Sequence, residues 1–131
     1  MLIIKPIQDK EYQKEVCELC GFNYDPLTFA YSEKEDDILI AGCQFDILGK
    51  EAVISDFGMV KTAKEDIEAL IILGRAVLNF MELSGAEVCT YKASDSNTDN
   101  YAKMLGFSLN DGKYTIVLKG LFDSKCKHSC N

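Results

Sequence analysis

The chain holds a single histidine, His128, close to its C-terminal end, so a Ser-His-Asp or Cys-His catalytic system built inside a folded core is not expected. No apolar run approaches the roughly 18 residues that a membrane span needs. The opening Met1-Leu2-Ile3-Ile4-Lys5-Pro6 has neither a basic leader region nor a small-residue cleavage site. These absences lead us to expect a soluble, cytoplasmic protein with no membrane partner. Lysine and arginine form no cluster to offset a formal charge of −7; a phosphate backbone would be repelled, and nucleic acid is not an expected partner. A Walker loop, a dinucleotide fingerprint, a His-Glu-x-x-His segment and internal repeats are also missing.

What remains is enough for one core. With 131 residues, 47% of them hydrophobic, residues 1–120 are expected to form one domain, followed by a polar, aperiodic tail over 121–131. The six cysteines are Cys17, Cys20, Cys43, Cys89, Cys126 and Cys130. Cys43 and Cys89 lie in apolar strand-like runs, where a thiol packs as a small hydrophobe. Cys17 and Cys20 form a C-x-x-C on a helix, and Cys126 and Cys130 flank His128 in the tail. Four sulfurs could make a zinc site, but nothing joins the two pairs, and no metal is expected.

Periodicity orders the elements. Leu2 to Ile7 reads as a strand, and Asp9 then caps a helix carrying Tyr12, Val16 and Leu19, closed by Gly21. A further short helix or a loop follows. Leu27 to Tyr31 is strand-like, and Glu33-Lys34-Glu35-Asp36-Asp37 reads as a solvated hairpin tip. Ile38 to Leu48 and Glu51 to Val60 are longer strands joined at Gly49-Lys50. Apolar residues from Ile67 to Leu83 recur at helical spacing up to Gly85, and Thr62-Ala63-Lys64-Glu65 matches a capping box at the start of this helix. Glu87 to Lys92 is a strand, polar residues 94–98 lead into a short helix ending at Leu105-Gly106-Phe107, and Asn110-Asp111-Gly112-Lys113 turns into the strand Tyr114 to Leu118.

This order, together with Lys103-Met104-Leu105-Gly106-Phe107, resembles the GNAT acyl-CoA N-acyltransferases over residues 1–120. The segment is similar to that family's Tyr-x-Lys-Leu-Gly-Phe. The resemblance implies an α/β (α+β) fold: a mixed, mostly antiparallel sheet of six to seven strands, helices on both faces, and a parallel pair splayed around the long helix 65–84. It implies acyl transfer from acetyl-CoA or another acyl-CoA to a small-molecule or peptide amine. It also implies a bulge in the strand before the long helix, where Phe57, Gly58, Met59 and Val60 would offer backbone groups to the pantetheine arm, with Gly58 suited to the bulge. A homodimer is compatible with it.

Three departures matter. The family's Arg/Gln-x-x-Gly-x-Gly/Ala loop sets amides on the pyrophosphate at a helix N-terminus, whereas Lys64-Glu65-Asp66-Ile67-Glu68 stands here, and coenzyme A is expected to bind weakly. The tyrosine that the family uses to protonate the departing thiolate falls at Ala102. Tyr101, adjacent, is expected to point about 100° away around a helix. For the base, Asp56 is the candidate, reached through water; the plainer reading of an Asp near a strand end is that it bonds loop amides. The alternative function is a catalytically inactive binding module of the same fold.

Overall fold

The computed structural model describes residues 1–93 and 97–121. Residues 122–131 of the expected tail, with Cys126, His128 and Cys130, lie outside them. Ten elements follow in order: β1 (Leu2–Pro6), α1 (Lys10–Cys20), β2 (Phe29–Glu35), β3 (Ile38–Leu48), β4 (Glu51–Met59), α2 (Ile67–Leu83), β5 (Val88–Tyr91), α3 (Thr98–Met104), β6 (Ser108–Asn110) and β7 (Lys113–Val117). They form one seven-stranded sheet in the order β1-β2-β3-β4-β5-β7-β6. Every neighbouring pair is antiparallel except β4 and β5. A parallel neighbour needs a crossover, and α2 supplies it.

Alternation along β3 assigns the two faces. Gln44 and Gly42 face α1. A side chain at Gly42 would collide with Val16 Cγ1 at 2.8 Å, so glycine is what lets this helix lie close to the sheet. Ala41, Cys43 and Phe45 face α2. There Phe45 packs among Phe29, Tyr31 and Phe80 at ring-centre separations of 5.7 to 5.9 Å, and Leu70, Leu73, Val77 and Met81 of α2 are fully buried.

The turn chemistry is as the residues demand. Gly21 closes α1 in the left-handed conformation, and Asp111-Gly112 takes the positive φ angles of a two-residue hairpin. Of the two alternatives for residues 22–28, the loop is the one found. Two expectations need correction. The charged run is not all turn: β2 continues through Glu33, Lys34 and Glu35, and only Asp36 and Asp37, both at positive φ, form the tip. At the start of α2, the cap is Asp66, whose carboxylate accepts from the Ala69 amide at 3.1 Å; Thr62 lies in a turn closed by Ala63 N donating to Val60 O. Among the described residues no helix is long and apolar enough to cross a membrane.

Candidate functional site

β4 and β5 run together and then separate. Their pairing extends from Glu51 opposite Val88 to Ile54 opposite Tyr91, and the Lys92 amide makes a last bond to the Ile54 carbonyl at 2.8 Å. On its other side β4 stays paired with β3 as far as Met59. Between Gln44, opposite Asp56, and Phe45, opposite Ile54, the register slips by one, leaving Ser55 as the extra residue of a bulge. A bulge bends its strand and sharpens its twist. β4 therefore leaves β5 here, and Asp56 to Met59 have no ladder partner on β5. The expected bulge at Gly58 is corrected: Gly58 pairs in regular register with Gly42, and a side chain there would make only ordinary contacts, at 3.9 Å and beyond.

The gap opens onto a cavity of about 350 Å³ that Phe57, Gly58, Met59 and Val60 share with Phe22 and Tyr101. All four expected slot residues thus lie together. Tyr101, read from the sequence as turned away, instead reaches this gap. Its ring meets Phe57 edge to face at 5.8 Å, and Phe57 in turn meets Tyr91 of β5 at 6.2 Å. Its hydroxyl donates to Glu65 Oε2 at 2.8 Å. An angular argument fails because α3 is short and buries both Tyr101 and Ala102.

Asp56 lies next to the bulge, half-buried on the α1 face. It accepts from Gln44 Nε2 at 2.8 Å, and the same amide donates to Asn23 O at 2.8 Å. Gln44 Oε1 accepts from Gln13 Nε2 at 2.9 Å and from the Asp25 amide at 3.1 Å. Lys10 Nζ completes the chain on Gln13 Oε1 and Thr28 O. This network ties the loop 22–28 and α1 to β3, and it holds the Asp56 carboxylate beside the divergence of the strands.

No protein-family profile matches the sequence, and no curated protein matches it significantly. Solved structures do match it in fold. An N-acetyltransferase of Staphylococcus aureus Mu50 superposes with a TM-score of 0.68 at 12% identity over 91% of this chain and 99% of its own. A GNAT family acetyltransferase of Brucella melitensis, solved with acetyl-CoA, gives 0.64 at 15% identity over 89% and 88%. The ribosomal-protein-S18-alanine N-acetyltransferase of Escherichia coli gives 0.65 at 12% identity over 88% and 89%. The fold is the GNAT fold. At such identities the likeness concerns the fold alone, so the chemistry must be argued from this chain's own residues.

Within the GNAT fold, the start of α2 is where a donor's diphosphate would meet helix amides, and here the fit fails. The Asp66 carboxylate already occupies the first turn, and Glu68 adds a charge of the same sign; Glu65 is engaged by Tyr101. A groove of about 730 Å³ beside this turn carries Glu35, Glu65, Asp66 and Glu68 against a single lysine, Lys64. Beneath it lies a residue that the sequence reading passed over as turn. Glu33 is fully buried, and neither carboxylate oxygen has a hydrogen-bond partner. Burial, then the charges of Asp66 and Glu35, push its pKa up to about 7. The period of two from Tyr31, which packs on Phe45, would have placed Glu33 on the same inward face.

The four thiols among the described residues are all buried. Burial pushes Cys17 up to about 11 and Cys20 and Cys89 up to about 12, and raises Cys43 well above its ordinary value. Protonated, buried thiols are neither nucleophiles nor ready ligands. Among the described residues no group of three metal-ligating side chains converges.

Proposed function

We propose that the chain transfers an acyl group from a thioester to an amine, the thioester's pantetheine arm lying along Phe57 to Val60. The observation that carries this reading is the gap itself. Four residues of a central strand turn a backbone edge toward a cavity instead of toward β5, and an extended amide-bearing arm can pair with such an edge as an added strand would. The arm would enter as the Tyr101 ring swings off Phe57 and gives up its bond to Glu65.

Asp56, held by Gln44, takes one proton from the ammonium group through water; the freed amine nitrogen attacks the thioester carbonyl, the carbon–sulfur bond breaks, the departing thiolate takes the proton of the Tyr101 hydroxyl, and the second proton shed by the nitrogen returns through water to the tyrosinate. The acceptor is a small-molecule or peptide amine, a cation at neutral pH that suits a chain of net charge −7. Because the α2 start does not fit a diphosphate, the donor is gripped by its arm alone.

The test is thiol release from acetyl-CoA and from acetyl-pantetheine across a panel of amines. We expect comparable rates for the two donors, and a fall of about 10²-fold in Asp56→Asn, which keeps an acceptor for Gln44. An unchanged rate in that variant would remove Asp56 from the mechanism.

A second reading, a catalytically inactive interaction module, is favoured by one pair of observations: the Tyr101–Glu65 bond across the gap and the Asp66 cap. It predicts no thiol release with any donor and no coenzyme A retained on the purified protein by mass spectrometry.

A further inference from the structure

Two lysines far apart in the sequence meet on the α1 face of the sheet, at the edge that β1 forms. Lys5 stands opposite Ser32, and Ile3 stands opposite Lys34. Ser32 in turn stands opposite Gly42, which faces α1. Residues opposite one another share a face, as do residues two apart in a strand, so Lys5, Ser32 and Lys34 project to the same side. Tyr12 of α1 and Asp37 of the hairpin tip join them around a cavity of about 180 Å³, with Ile3 and Pro6 beside it. The row Lys5, Ser32, Gly42, Gly58 crosses four strands, and Val16 of α1 sits over Gly42. The cavity therefore lies on the far side of α1 from the gap at Gly58.

The donors around this cavity lack partners. Among the described residues neither Lys5 nor Lys34 forms an ion pair, and the exposed Asp37 carboxylate pairs with neither of them. Ser32 is 6% exposed, and its hydroxyl, on the cavity wall, makes no hydrogen bond among the described residues. The Tyr12 hydroxyl is withdrawn from water and also has no partner. Lys34 Nζ lies 5.5 Å from the centre of the Tyr12 ring, whose face holds the ammonium group in place. Packing alone does not explain this set, because a buried hydroxyl left unbonded is costly and alanine at 32 or phenylalanine at 12 would avoid that cost.

We propose that this cavity binds the phosphoryl dianion of a small phosphate monoester. Two ammonium groups match its charge of about two, and two hydroxyls beside them bring the donors to four kinds of contact, more than the two oxygens of a planar carboxylate can use and suited to three phosphoryl oxygens. The Ser32 and Tyr12 hydroxyls gain the acceptor that the protein itself does not give them. Ile3 and Pro6 supply apolar surface for the ester group. Asp37 sets a like charge at the rim and holds the affinity down. A chain of net charge −7 repels anions in general, so saturable binding of a dianion belongs to a local site. This inference stands whether or not the chain transfers acyl groups.

Amide chemical-shift titration of the intact, isotope-labelled protein with ethyl phosphate, at pH 8 and low salt with no acyl donor, tests it. We expect saturable shifts centred on Lys5, Tyr12, Ser32 and Lys34, and binding that weakens as salt is added. Lys34→Met and Ser32→Ala should each weaken it about tenfold. Tyr12→Phe should weaken it too while leaving the fold no less stable, and Asp37→Asn should tighten it. Inorganic phosphate should bind less tightly than ethyl phosphate, and acetate less tightly than either. The paired control Lys113→Gln/Lys119→Gln, at the other edge of the sheet, should leave binding unchanged. Absence of saturable shifts overturns the proposal, as does a Lys34→Met chain that binds as tightly as the original. Equal weakening in the control overturns it because the attraction would then not belong to the cavity, and inorganic phosphate matching ethyl phosphate overturns the monoester assignment.

Discussion

Gln44 and Glu33 lie on adjacent strands of one sheet, and each is shielded from water, at 1% and 0% exposure. Their surroundings are opposite. On the α1 face both amide hydrogens of Gln44 are donated and its oxygen accepts from a side chain and a main-chain amide. On the α2 face both oxygens of Glu33 have no partner. A buried polar group that is fully bonded stabilises one arrangement of the chain; one that is left unbonded opposes folding. The contrast separates a polar network that ties α1 and the loop 22–28 to the sheet from a buried carboxylate whose oxygens have no hydrogen-bond partner.

The largest effect should come from removing the bonded member. Gln44→Ala takes a partner from the Asp25 amide, the Asn23 carbonyl and the Asp56 carboxylate, and at 1–3 kcal/mol for each group left unsatisfied the loss should reach about 3 kcal/mol. Denaturant unfolding measures it, and a loss below about 1 kcal/mol would mean that water replaces the amide without cost. The reverse sign is expected at the other residue. Glu33 has a folded pKa raised to about 7 by burial first and by Asp66 and Glu35 after it. The unfolded chain therefore gives up this proton more readily. The penalty is absent well below the unfolded carboxyl range, grows as pH rises toward 7 and is level above it. Glu33→Gln should raise stability by about 2 kcal/mol at pH 8 and change little at pH 4. A variant less stable than the original at pH 8 would show that Glu33 has a partner after all.

The same contrast explains what could be read in advance. The hairpins at Gly49-Lys50 and Asp111-Gly112 were legible because their residues meet a local demand for positive φ, and α1 and α2 were legible because their apolar stripes repeat with the helical period. Glu33 was hidden inside a charged run whose composition signals a turn, while its burial is decided by β1 and β3 on either side. Thr62 and Asp66 both satisfy the consensus for a helix cap; the turn at Val60 to Ala63 decides between them. The bulge is expected at Gly58 and found at Ser55 because no glycine marks its true position. Tyr101 was misjudged because the orientation of a short helix is set by its contacts, not by its own period.

The account rests most heavily on the start of α2: an acidic first turn where this fold would otherwise accept a diphosphate. Coenzyme A titrated calorimetrically at low salt into the original chain and into Asp66→Gly/Glu68→Gly tests that claim directly. Losing the cap should cost the helix about 1 kcal/mol without unfolding the protein. The account predicts a dissociation constant well above the micromolar range for the original chain and binding about tenfold tighter in the variant, the gap narrowing as salt is added. Tight binding by the original chain, or no gain in the variant, would contradict it.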